Sequence, residues 1–171
     1  DRADECRELV QQAVRRQMVA DVPLGCFLSG GTDSSVIALA MTRAVDDPKQ
    51  VHTFSIGFDD PRYDETGYAE EVARHLGTTH RAFTVRPDAA EDLPKLARVF
   101  GEPFGDSSAL PTHYLARETR KHVTVALSGD GGDELFGGYD RYRALLLSSR
   151  FDALPRAVVA ILSRASRLVP G

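Results

Sequence analysis

Between positions 29 and 35 the chain reads Ser29, Gly30, Gly31, Thr32, Asp33, Ser34 and Ser35, which gathers four hydroxyls, two glycines and one carboxylate into seven residues. Glycine lets a backbone approach a ligand closely, and the N-terminus of a following helix offers unpaired N–H groups and the positive end of its dipole. The hydroxyls add neutral donors. Asp33, at the mouth of such an anion cradle, makes sense if a divalent cation accompanies the anion, so phosphate with magnesium satisfies the whole set. The plainer alternative is that Thr32 or Asp33 caps a helix and the glycines turn the chain, but a cap needs only one such residue.

A second loop has related chemistry. Ser128, Gly129, Asp130, Gly131, Gly132, Asp133 and Glu134 combine three glycines with three acids, and Leu-Phe-Gly-Gly-Tyr follows. Either a ligand approaches the backbone there or the segment is a solvated acidic turn. Other motifs fail on spelling. There is no GxxxxGK[ST] phosphate loop and no GxGxxG after a strand. A nucleophile elbow, GxSxG, would need glycine where Phe27 and Ala126 stand. Cys6 and Cys26 form no CxxC pair, and the five histidines show no triad or metal-ligand spacing. Asp106, Ser107 and Ser108 either line an acceptor pocket or cap the helix that follows. Asp64 and Glu65 read as first-turn helix acids.

The elements that must position these loops follow from periodicity. Apolar residues at helical spacing predict a helix over 3–20, and a short apolar run at 25–29 ends in the first glycine pair. A second helical stripe covers 36–44. Strands are expected at 51–58, 81–85 and 123–128, with helices over 64–76, 88–99 and 109–121. Strands alternating with helices predict an α/β fold, doubly wound, with a mostly parallel sheet and helices on both faces. Ligands of such sheets sit outside the carboxyl ends of the strands where strand order reverses. An order of 3-2-1-4 would make the first and fourth strands neighbours and bring both glycine loops to one crevice. Residues 1–150 are expected to form this domain, and 151–171 an amphipathic helix leading into further helical structure.

Composition narrows the partners. The chain has 171 residues, 42% hydrophobic and 27% charged, which excludes disorder, a collagen repeat and a disulfide scaffold. Lys+Arg 21 against Asp+Glu 25 gives a net charge of −4, so no basic excess favours nucleic acid or an anionic membrane. No segment has the roughly 20 apolar residues of a transmembrane helix. With no leader pattern and no paired cysteines, a cytoplasmic address is expected. Lysine is confined to Lys49, Lys95 and Lys121, and neither glycine loop has one.

VPLGCFLSGGTDSS, HTFSIGF, EPFGDSSALPTHYLA and ALSGDGGDELFGGYDRY, in that order, together resemble the synthetase domain of glutamine-dependent asparagine synthetases. These are members of the ATP pyrophosphatases, whose signature loop is SGGxDS. The likeness runs over residues 22–142. It implies an adenine-nucleotide alpha-hydrolase-like fold, ATP and magnesium as cofactors, and adenylation of a carboxylate, most simply the side chain of aspartate, before ammonia forms the amide. By the same resemblance residues 29–35 would hold pyrophosphate, Asp33 and Asp133 the magnesium, and Phe27 and Ile56 would flank adenine. Ser128 and Gly129 would meet the nucleotide. Asp130 falls where relatives carry a glutamate important for the acyl-adenylate, and is one methylene shorter. The resemblance also implies a lysine beyond residue 171, an N-terminal glutaminase domain in the parent chain, small-molecule substrates and a possible homo-oligomer. A nucleotide-binding module without turnover, or a related amide- or β-lactam-forming synthetase with another acceptor, stays open.

Overall fold

A computed structural model describes residues 1–60, 64–102 and 104–152 of the chain. Helix α1 (Arg2–Gln17) opens on a capping box in which the Asp1 carboxylate accepts from the Ala3 and Asp4 N–H groups. Its apolar stripe, Val10, Val14 and Met18, turns inward. Strand β1 (Leu24–Phe27), helix α2 (Thr32–Thr42), strand β2 (His52–Phe58), helix α3 (Thr66–Leu76) and strand β3 (Thr79–Val85) follow. Gly77, with φ 74°, ends α3 in the left-handed conformation that an L side chain resists. Then come α4 (Ala89–Phe100), α5 (Ala109–Thr119) and β4 (Val125–Leu127).

Among the described residues the strands form one four-stranded sheet in the order β3-β2-β1-β4, with every pair parallel. That is the expected order. Phe27 pairs with Phe54 across β1 and β2, and Cys26 with Leu127 across β1 and β4. Right-handed crossovers place α2 and α3 on one face. The return from β3 to β4 puts α4 and α5 on the other. Cys26 and Leu28 accordingly pack with Val14, Ala38, Met41, Ala69 and Ala73 in one apolar cluster. Gly25 leaves space on the opposite face for the Phe54 ring, since a Cβ there would lie 2.6 Å from its Cε2.

Burial decides two polar groups. On β2 and β3, the His80 ring nitrogens hydrogen-bond the Thr53 and Ser55 hydroxyls at 2.9 and 3.1 Å. Burial pushes the His80 pKa down, against the opposing pull of Glu70. Between α4 and α5, Tyr114 donates to buried Asp92 at 2.6 Å and accepts from the Asp88 N–H at 2.9 Å. The Cys26 thiol is buried without charge partners, which raises its pKa to about 12.

The chain divides into two compact units, Asp1–Asp130 and Gly131–Gly171. Of the second, α6 (Gly132–Phe136) and α7 (Asp140–Asp152) are described. Gly131 and Gly137 bracket α6 with φ of 91° and 69°. The Tyr139 hydroxyl donates to Glu134 at 2.6 Å, and Arg141 stands 4.0 Å above the Tyr139 ring. The helix expected over 151–171 lies, past Asp152, outside the described residues. No helix among the described residues is long and apolar enough to cross a membrane.

Candidate functional site

Strand β1 ends at Phe27, and the next residues turn directly into α2. Gly30 takes φ 83°, and Gly31 becomes the N-cap of α2 without any side-chain cap bond. Neither Thr32 nor Asp33 is spent as a cap, so the first turn of α2 keeps its N-terminal N–H groups and the dipole's positive end for a ligand. The hydroxyls shape the loop from within. Ser29 Oγ and Ser34 Oγ lie 3.0 Å apart, Ser34 Oγ also accepts from the Ser29 N–H, and Ser35 Oγ donates to the Gly31 carbonyl at 2.7 Å. Thr32 lies exposed and Asp33 half-buried at the loop's outer edge.

The second loop meets the first. A Cβ on Gly129 would lie 2.7 Å from the Ser34 backbone nitrogen and 2.9 Å from the Asp33 carbonyl carbon. Glycine alone allows β4 to end against the opening turn of α2, which brings Ser128 and Gly129 to the phosphate-type loop. Beyond them Asp130 is exposed and accepts from the Ser128 hydroxyl at 2.9 Å. Asp133 stands in the first turn of α6, in the second unit. Phe27 and Ile56 are half-buried on neighbouring strands and share the sheet face opposite the apolar cluster of α1, α2 and α3. All of these except Asp133 belong to the first unit.

Other acids resolve as turn formers. Asp106 accepts from the N–H and hydroxyl of Ser108, both at 2.8 Å, and these bonds hold its carboxyl below the usual range. Asp106 thus shapes the turn ahead of α5, whose N-cap, Ser108, makes no side-chain cap bond. Asp64 does the same for Thr66, with its hydroxyl bond the larger cause of a lowered pKa. The Tyr139 hydroxyl lowers Glu134 in the same sense. Among the described residues no group of three or more His, Cys, Asp or Glu gathers as a metal cluster. An open groove of about 470 Å³ runs between α2 and α3, its floor apolar at Val36, Leu39, Val72 and Leu76 and its rim polar at Thr32, Ser35, Glu71 and His75.

Sequence reasoning expected a helix over 64–76 but gave it no part in the site. A Cβ on Gly30 would fall 2.6 Å from the backbone carbon and Cβ of Tyr68, so the first turn of α3 leans directly on the loop. Tyr68 is 38 positions away and sits on the polar side of its helix, and helical periodicity carries no sign of that contact.

Fold and loops define a class of protein: a parallel α/β domain with a glycine-rich turn opening a helix at its topological switch point. Comparison with known proteins narrows it. The asparagine synthase family profile matches residues 5–170. The chain is 38% identical over 167 residues to asparagine synthetase [glutamine-hydrolyzing] 1 of Bacillus subtilis, covering 97% of this chain and 26% of that protein. Against asparagine synthetase B [glutamine-hydrolyzing] of Escherichia coli it is 35% identical over 153 residues, 80% of this chain and 27% of the other. Among solved structures, an NH3-dependent NAD synthetase from Campylobacter jejuni superposes with a TM-score of 0.51 at 14% identity. That match covers 80% of this chain and 60% of the synthetase, and shows a shared adenine-nucleotide alpha-hydrolase fold. The chain belongs to the asparagine synthase family, and it spans about a quarter of the length of the curated relatives it matches.

Proposed function

We infer that this chain is the nucleotide-binding part of an ATP-dependent, amide-forming ligase that activates a carboxylate, most simply the side chain of aspartate. A carboxylate oxygen attacks the α-phosphorus of ATP, pyrophosphate leaves, and ammonia then attacks the acyl carbon to give the amide and AMP. The observation that carries the reading is the contact of Gly129 with the first turn of α2, which seats two glycine loops at one end of the sheet. Residues 29–35 then bind the pyrophosphate portion through N–H and hydroxyl donors. Phe27 and Ile56 flank the base. Ser128 and Gly129 border the nucleotide, and Asp130 faces the reacting carboxylate.

Asp33 and Asp133 are the proposed magnesium ligands. Their hard oxygens suit that ion, which takes most of its coordination from phosphate and water and needs only one or two carboxylates. When bound it offsets charge on the leaving pyrophosphate. The described lysines do not serve that purpose, since Lys95 pairs with Glu91 and Asp92 and Lys121 with Glu118. The resemblance assigns that task to a lysine past residue 171 and the supply of ammonia to a glutaminase domain on the N-terminal side. Two free cysteines and the need for ATP fit a cytoplasmic setting. The lack of a lysine in either glycine loop also supports a second reading, a module that binds nucleotide without turning it over.

Aspartate-dependent exchange of labelled pyrophosphate into ATP, in the longest natural polypeptide that carries this sequence, separates the two. Exchange is expected, and Asp33→Asn and Asp130→Asn should each lower it about 100-fold or more. Absence of exchange leaves the binding module. Exchange that survives both substitutions removes the roles of these acids.

A further inference from the structure

The phosphate-type loop has one neighbour that the reading above leaves without a task. Tyr68 lies in the first turn of α3, its backbone carbon and Cβ against Gly30, yet the residue is 68% exposed. Its phenol makes no hydrogen bond or ring contact with any described residue. Tyr114, the other tyrosine described in the first unit, is 1% exposed and has its hydroxyl bonded twice. Side chains on a helix lean toward the helix N-terminus, and the N-terminus of α3 lies at the end of the sheet where the loop turns. Residues 29–35 carry no lysine or arginine of their own. Lys49 sits in the turn that enters β2, at the opposite end of that strand, and the other two lysines are paired with acids. The donors that residues 29–35 themselves offer to a phosphate are therefore neutral, and a phenol O–H beside them adds one more of the same kind.

The geometry points to Tyr68 as a further nucleotide-binding residue, its hydroxyl donating to an oxygen of the pyrophosphate portion of ATP and closing the α3 side of the loop. This rests on the nucleotide reading given above. Tyr68→Phe removes one oxygen from an exposed ring and leaves the packing of α3 on Gly30 intact. Titration calorimetry with magnesium and either ATP, inorganic pyrophosphate or AMP, on the longest natural polypeptide carrying the sequence, tests it. ATP and pyrophosphate should each bind roughly tenfold more weakly to Tyr68→Phe, the size of one hydrogen bond to a charged acceptor, with AMP unchanged. Unaltered ATP affinity, or an equal loss for AMP, overturns the assignment while the nucleotide reading stands. Failure of the unsubstituted protein to bind any of the three ends the nucleotide reading, and the role of Tyr68 with it.

Discussion

On the side that faces α2, Gly129 has space for a hydrogen and nothing larger. A methyl there would press on the Ser34 nitrogen and the Asp33 carbonyl carbon, both backbone atoms that cannot rotate aside. Gly129→Ala should therefore push β4 and the opening of α2 apart, with a stability loss of about 1–3 kcal/mol in denaturant unfolding and at least tenfold weaker ATP binding. An unchanged affinity would mean that the two loops do not share a ligand. At this scale much was legible beforehand. The spelling of Ser29 to Ser35 and of Ser128 to Asp130 singled out two glycine loops, and the structure brings them together at Gly129. Spelling did not single out Tyr68, since its role depends on a contact across the fold. Asp106 was ambiguous until its bonds to Ser108 settled that its carboxylate shapes a turn.

Strand and helix positions followed the apolar pattern, and the departures have local causes. The apolar stripe of α2 begins at Val36, yet the helix starts at Thr32, because the polar loop residues form its first turn and hydrogen-bond back to the Gly31 carbonyl. Helix α6 went unread because five residues between left-handed glycines spell a turn. The β2–β3 pair carries a pH dependence. His80 is held between the Thr53 and Ser55 hydroxyls, and burial lowers its folded pKa below the unfolded value of about 6.5. The unfolded chain then binds the proton more readily than the folded one. The stabilisation this arrangement gives is complete above pH 6.5 and is lost as pH falls through the lowered folded value. Thermal unfolding followed by circular dichroism should show Tm falling between pH 7 and pH 5, and a flatter profile for His80→Asn. Equal slopes would clear His80 of the effect.

At the scale of the molecule, the sheet, the apolar cluster, the first glycine loop and the start of the second, Ser128 to Asp130, fall within Asp1–Asp130. The second unit is of another kind, with Leu135, Phe136, Leu145 and Leu147 exposed on its helices. A chain ending after Asp130 should therefore keep a single cooperative thermal transition and its far-ultraviolet circular dichroism, because none of the described core residues is removed. A sloping, non-cooperative melt would show that the first unit needs the second. The strand order 3-2-1-4 was supposed rather than derived, as the order that would bring the glycine loops after the first and fourth strands to one crevice, and the sheet has that order. The sequence carries no mark of a division after Asp130, since Gly131 and Gly132 continue the same glycine-rich run.

Cys26, in the central strand, supplies a chemical clock. A thiol with a pKa near 12 is almost wholly protonated at neutral pH, and no reagent reaches it while β1 stays between its neighbours. Alkylation at that sulfur thus counts the moments when the sheet comes apart, and any bound molecule that clasps β1 to β4 will slow its ticking.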